Sequence, residues 1–576
     1  MTIRHLALIF LLATPFATGC ADSGTSPETD ASVFALLSDP LELAPGEVAL
    51  FEGALLRTLQ LSGGSDGAEY LYVPFNSNDA GAVTIAVDIT GTGVQAPTGP
   101  PNPALAPGGR WLQPAVAASV RQDASFHRWL RETELLELEP LIGPAPRALR
   151  NRAPLQDRTV AAAPPQEGEL IELNASLDAC DNPDIRTARV MAVTEHAIVV
   201  EDTTAPGNGL TQEEYRSIGV TFDTLSYPVN IENFGVPTDI DDNDRAIIFY
   251  TPAVNSLTPP NSGSFVAGFF FARDLFPADD SDPRLGACPT SNEAEMFYML
   301  VADPDAEFGN AFTRDFILRI TQGTIAHEFQ HLINSSRRLY VNDAGDFEEV
   351  WLNEGLSHIA EELVFYRASG LGPNQNIDLA TLTTTGDAVL NAVNSYQVQN
   401  LVRYSTYLEE PEEESLLGKD AGDSELPTRG ATWAFLRYLA DHRADDDSQF
   451  FFELVNSTTS GVANLERVLG EDAIDLMQTW TVSVYTDDAV GGLESPLYRQ
   501  PSWHFRDVLP ALNEPEEFPL EVLTPGPDQA LELSLHGGGA AFIRFGVAPD
   551  GRALLRARSG EGAPPEKLRV SIIRIR

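Results

Sequence analysis

Short runs of alternating or apolar residues open the chain, helical spacing fills its middle, and alternation returns near its end. Residues 48–51, 57–61, 69–73 and 82–89 read as strands, separated by turn clusters such as Ser62-Gly63-Gly64-Ser65. They predict a small β-sandwich. Pro97, Pro100, Pro101, Pro103 and Pro107 make residues 96–109 an irregular loop. Residues 127–141 then place Trp129, Leu130, Leu135 and Leu138 at helical spacing, and the Pro-, Ala- and Arg-rich stretch 142–167 reads as a linker.

The pattern changes from about residue 168. Residues 186–201 read as a strand pair, and 245–251 and 296–302 as buried strands. Thr211-Gln212-Glu213-Glu214 has the capping-box form that starts a helix. Helices are predicted at 311–336, 348–368, 430–442, 447–456 and 463–485. After residue 515 strands return at 530–535 and 541–547, flanking His536-Gly537-Gly538-Gly539. The fold class is therefore α+β. The expected division is a processing signal at 1–19, a tether at 20–35, an N-terminal β domain at 36–126, helix and linker at 127–167, a central domain at 168–510 and a C-terminal β domain at 515–576.

Composition narrows the functional classes. Of 576 residues, 43 % are apolar, enough for a large core, and 84 acidic against 37 basic residues give a net charge of −47. So acidic a surface repels phosphate backbones, which excludes nucleic acid as a partner. The first residues pair a short polar start (Arg4, His5) with an apolar stretch at 6–16, too short to span a bilayer. Ala17-Thr18-Gly19-Cys20 follows and resembles a bacterial lipobox, which implies a lipid on Cys20 after cleavage. Ala21, rather than an inner-membrane-retaining Asp, follows the Cys. The expected place is the bacterial cell envelope, as an outer-membrane lipoprotein facing periplasm or cell surface. Cys180 and Cys288 are then left either as one disulfide or as two buried thiols.

The chemistry concentrates in His327-Glu328-Phe329-Gln330-His331. Residues four apart share one helix face, so His327 and His331 can grip one ion. Glu328 stands beside that ion, free to take a proton from water. A third ligand must come from another element. The metzincin pattern wants Gly three and His six residues after the second His, and Asn334 and Arg337 stand there instead. The gluzincin pattern wants Glu on a following helix. Glu354, in Trp351-Leu352-Asn353-Glu354-Gly355-Leu356-Ser357-His358, lies 23 residues after His331. His358 is one turn further and could orient His327 or His331.

These two segments resemble the gluzincin metallopeptidases, of which thermolysin is the familiar member, and resemble most the hyicolysin-like secreted neutral metalloproteases. The resemblance covers 168–500 and implies a thermolysin-like domain with a strand-rich upper and a helical lower part. It implies zinc held by His327, His331 and Glu354, Glu328 as general base, Asn353 and His358 beside the ligands, and protein or peptide substrates cleaved by Glu-assisted attack of zinc-bound water. A donor for the oxyanion is sought among Tyr396, Tyr404, Tyr407 and His442, and the peptide-holding edge strand at 296–302. An aminopeptidase, with Glu293 reading a free amine, and a catalytically inactive adhesion lipoprotein are the alternatives. The N-terminal region could also be an inhibitory segment released near 142–167.

Asp239-Ile240-Asp241-Asp242-Asn243-Asp244 resembles the start of a calcium loop, with Asp239, Asp241 and Asn243 at alternate positions. Asp244 and Tyr250 stand where an EF-hand needs Gly and Glu, so it is not an EF-hand. The competing reading is an acidic turn before a strand.

Overall fold

Strands from opposite ends of the chain complete one another. The computed structural model describes residues 40–98, 124–143, 164–513, 517–526 and 529–576. The processing signal, the tether, Cys20, the proline loop from 99 on and the linker from 144 to 163 lie outside them. The N-terminal part holds β1 (Val48–Glu52), β2 (Leu59–Ser62), β3 (Ala68–Asn76) and β4 (Ile85–Thr92). Helix α1 (Ala124–Thr133) follows, continued by single turns to Leu141.

The central region begins with β5 (Leu170–Asn174), β6 (Ile185–Val193) and β7 (Ala197–Asp202). Helices α2 (Gln212–Thr221) and α3 (Tyr227–Phe234) lead to β8 (Ala246–Tyr250), β9 (Gly268–Phe270) and β10 (Met296–Met299). Thr211 and Glu214 form the reciprocal capping box at the start of α2. Helices α4 (Arg314–Ser336), α5 (Val350–Ser369), α6 (Val398–Glu409), α7 (Leu426–Arg443), α8 (Asp447–Val455), α9 (Gly461–Leu469) and α10 (Ala473–Thr486) come next. The predicted helix at 463–485 is thus two helices, because Gly470 takes φ +69° and ends α9. The chain closes with β11 (Ala530–Leu535), β12 (Ile543–Val547), β13 (Arg552–Arg558) and β14 (Leu568–Arg574).

The expectation of separate β domains at 36–126 and 515–576 is corrected. One sandwich contains both, with sheets ordered β1-β14-β3-β12 and β11-β4-β13-β2. Every ladder between named strands of these two sheets is antiparallel and joins an N-terminal strand to a C-terminal one. Neither end can satisfy its backbone alone, since an unpaired buried N–H or C=O is costly. Strand β3 is buried on both faces: Tyr70 and Tyr72 face the sandwich core, while Leu71, Val73 and Phe75 join the main core.

The central sheet is ordered β5-β6-β7-β8-β10-β9, parallel at β7/β8 and β8/β10 and antiparallel elsewhere. Its edge beside the helices is β9, so residues 296–302 do not supply the edge strand: β10 lies between β8 and β9. Helices α4 and α5 pack side by side, α5 against α7, and α4 against β9 and β10. Most of α4 from Ile317 on and nearly all of α5 are buried, which is why neither shows a polar stripe. Cys180 and Cys288 form a disulfide with Cα atoms 4.7 Å apart. No helix among the described residues is long and apolar enough to cross a membrane.

Candidate metal centre

Thr313 caps α4, its side chain accepting from Phe316 N, and the helix carries His327 and His331 one turn apart on the face toward α5. Their Nε2 atoms are 3.1 Å apart. Glu354 reaches across from α5: Oε2 lies 3.5 Å from His327 Nε2 and Oε1 lies 3.7 Å from His331 Nε2. A tetrahedral zinc with bonds of about 2.0–2.2 Å spaces its ligand atoms about 3.3–3.6 Å apart; the separations here, 3.1, 3.5 and 3.7 Å, bracket that range, with a different Glu354 oxygen facing each imidazole. Glu354 is fully buried, and neither carboxylate oxygen receives a hydrogen bond. A buried, unsatisfied carboxylate is costly unless a cation meets it. Glu328 places a carboxylate oxygen within 4.8 Å of the ligand atoms of both imidazoles, while its Oε2 accepts from Phe270 N of β9 at 2.8 Å.

The imidazoles are held by their other nitrogens. His327 Nδ1 donates to Glu361 Oε1 at 2.8 Å, and His331 Nδ1 lies 3.1 Å from both Asn353 Oδ1 and Ser357 Oγ. Such bonds place the protons on Nδ1 and leave each Nε2 lone pair for a metal. Asn353 also accepts from Asn334, and Ser357 donates to Gln330. His358 stands beside His327, their ring centroids 4.6 Å apart. His358 Nδ1 bonds Glu361 Oε1 at 2.9 Å, so it acts on His327 through that shared carboxylate. Glu361 escaped the sequence reading, although it stands three residues after His358 on the same helical face. Arg131 and Arg429 escaped it as well, being remote in sequence from both motifs.

Burial disfavours charge on every group here, and neighbours decide the outcome. Against burial, Arg429, whose Nη1 is 3.3 Å from Oε2, and the two imidazoles hold the Glu354 carboxyl well below the ordinary range. The Glu361 carboxyl is likewise held low by His358 and His327. Burial, with Arg403 beside it, pulls His358 down to about 3, a neutral imidazole. Burial opposes charge on His327 too, but the carboxylates of Glu354 and Glu361 lift it to about 9. Burial in turn pulls His331 down, so the two imidazoles of the pair differ in the charge they favour.

The chain resembles part of a protein named as a metalloprotease. It is 29 % identical over 156 residues to the neutral metalloprotease ShpI of Staphylococcus hyicus. The matched stretch covers 27 % of this chain and 32 % of that relative. No protein-family profile matches the chain. The chain thus spans about a third of that relative's length, and its buried His/Glu cluster is a group that could hold a metal ion.

The remaining expected residues fall elsewhere. Tyr404 packs against Phe505 and Trp433, Tyr407 stacks on Trp480, His442 Nε2 meets Arg499 O, and Tyr396 packs beside Ala326 and Val364. No polar contact carries any of the four to Glu354 or the imidazoles; the cations that face the ligands are Arg429 and Arg131. Glu293 is exposed in the turn before β10. Asp239 and Asp241 gather with Glu295, and the Asn243 side chain beside them donates to Asp241 Oδ2 and accepts from Arg245 N.

Helix α1 packs beside this cluster. Arg131, 2 % exposed, places Nε 3.9 Å from Glu354 Oε1 and donates from Nη2 to Phe270 O at 3.1 Å. Its Nη1 pairs with Glu134 Oε2 at 2.7 Å, and Glu134 Oε1 accepts from Ala272 N. Phe126 packs on Phe269 with ring centroids 5.1 Å apart. Side chains of α1 and of the turn after it therefore occupy the Phe270 carbonyl at the end of β9 and the Ala272 N–H just beyond it.

Proposed function

We propose that the chain is a zinc-dependent endopeptidase of the gluzincin kind, with a thermolysin-like arrangement of its central region, held here in a blocked form. The observation that carries the reading is the buried Glu354 carboxylate, without a hydrogen-bond donor, set at zinc spacing from two imidazole Nε2 atoms. Zinc, when bound, supplies a Lewis acid for the peptide carbonyl and lowers the pKa of water. His327, His331 and Glu354 would hold it. Glu328 takes the water's proton and passes it to the leaving amine, and the Phe270 N–H fixes the orientation of its carboxylate. An extended substrate would pair with the edge strand β9 by strand addition. Arg429 is the cation placed to face charge near Glu354.

Arg131 and Glu134 occupy the Phe270 carbonyl and Ala272 N–H that such a peptide would use. Access therefore requires α1 to leave. The strands before it must stay, because the sandwich is built from both ends of the chain. A lipid on Cys20 and an outer-membrane location belong to the same proposal and await mass spectrometry of the N-terminal peptide from membranes.

The deciding experiment measures zinc first, because bound metal does not depend on an open cleft. Pure folded protein should carry zinc, lost in Glu354→Gln. Casein hydrolysis is then followed in the wild type, in Arg131→Ala, and in a chain carrying an engineered protease site within 144–163. Activity should appear when α1 is loosened, and Glu328→Gln should lower it by about 100-fold or more. Absence of zinc from well-folded wild type would leave the non-catalytic surface lipoprotein as the better reading.

A further inference from the structure

We infer that Asp239, Asp241 and Glu295 form a calcium site that ties the loop before β8 to the start of β10. Each residue offers a carboxylate oxygen, and these lie within 4.8 Å of one another. Glu295 is 3 % exposed. Its Oε1 accepts from Ile240 N at 2.9 Å and from Thr238 Oγ1 at 3.3 Å, while its buried Oε2 has no partner. Asp241 repeats the arrangement: Oδ2 accepts from Asn243 Nδ2 at 2.6 Å, and Oδ1 is buried without a partner. Asp239 Oδ1 accepts from Asn243 N at 2.9 Å. One oxygen of each carboxylate is thus pinned by a donor, which fixes the direction of the other.

No side-chain cation compensates this trio. None of the three takes part in an ion pair among the described residues. The nearby Arg245 spends its guanidinium on carbonyls, Nε to Thr194 O and Nη1 to Asn243 O. The charged neighbours Asp242, Asp244 and Glu195 add only negative charge, and His196 is stacked on Tyr227. Burial followed by mutual repulsion pushes Asp241 up to about 7 and Glu295 up to about 8, as expected of carboxylates lacking a cation. An all-oxygen set suits a hard divalent ion rather than zinc, and its irregular spacing suits calcium better than the strict octahedron of magnesium. A cleft of about 460 Å³, lined by Asp239 and Glu295 among others, gives an ion and its remaining waters a way in. Phe329, next to Glu328, lines the same cleft, so an ion here would brace the back of α4.

The test uses the full chain, freed of calcium and checked for unchanged zinc, titrated calorimetrically with calcium chloride near neutral pH. Wild type should bind with a Kd between about 1 μM and 1 mM. Its thermal midpoint should rise by about 2 °C or more in saturating calcium. Glu295→Gln should weaken binding at least about tenfold and remove the rise, with zinc content unaltered. Should that variant misfold, Asp241→Asn takes its place, and the wild-type titration decides by itself if both do. Wild type that takes up no calcium at about 10 mM overturns the site, as does equal binding by wild type and variant. So would a midpoint raised by Glu295→Gln in a protein indifferent to calcium, which would identify a cluster sharing protons instead.

Discussion

Glu361 receives hydrogen bonds from two imidazoles on one carboxylate oxygen, His327 on α4 and His358 on α5. It therefore sets the direction of a proposed ligand without touching the metal. Glu361→Gln keeps the shape and removes the charge. Zinc affinity should fall about 10–100-fold, read by competition with a chelator, while the unblocked protein keeps its fold. A second residue-scale prediction concerns pH. Asp241 and Glu295 stand at about 7 and about 8, above their ordinary 3.8 and 4.5. Acids raised in the folded state add stability that is complete below their unfolded values and is lost as pH rises through the folded ones. Without calcium, the urea midpoint should decline as pH climbs from about 5 to about 8; with calcium it should stay level. A midpoint insensitive to calcium across that range would contradict the prediction.

At the scale of elements, the centre depends on how closely three helices approach. Gly355 follows Glu354 on α5, and a Cβ there would lie 2.3 Å from Thr432 Cγ2 and 2.9 Å from Leu436 Cδ1 of α7. Gly355→Ala must push α5 from α7 and carry Glu354 with it. A loss of about 1–3 kcal/mol is expected, seen as a lower thermal midpoint together with weaker zinc retention. Unchanged zinc retention would mean that α5 slides without turning. The paired motifs were legible in sequence because four-residue spacing fixes a helix face whatever surrounds it. Helix α1 was legible as a helix from Trp129, Leu130, Leu135 and Leu138, but its place was not. Arg131 lies 223 residues from Glu354, and no local pattern records a contact of that range.

On the scale of the whole molecule, the sandwich makes the two ends of the chain interdependent. Strand β14 sits between β1 and β3, and β13 between β4 and β2, so without the last segment no two N-terminal strands of the sandwich are neighbours. Deleting 529–576 should leave unpaired edges and exposed apolar faces. Aggregation on size-exclusion chromatography is expected. A monomer with the wild-type unfolding midpoint would mean that the sandwich is dispensable. By the same arrangement, the strands at 40–98 cannot be discarded without dismantling the sheets.

By itself the sequence determined the α+β character, most element positions, and the placing of His327, Glu328, His331 and Glu354 on two helices, because periodicity and spacing act over a few residues. Tertiary structure alone decided that both ends build one sandwich, that β9 is the edge strand, that Glu361 and Glu295 join their clusters, and that α1 lies over the metal centre. Those contacts join residues far apart in sequence, and their partners are chosen by which backbone groups and buried charges would otherwise be left unsatisfied.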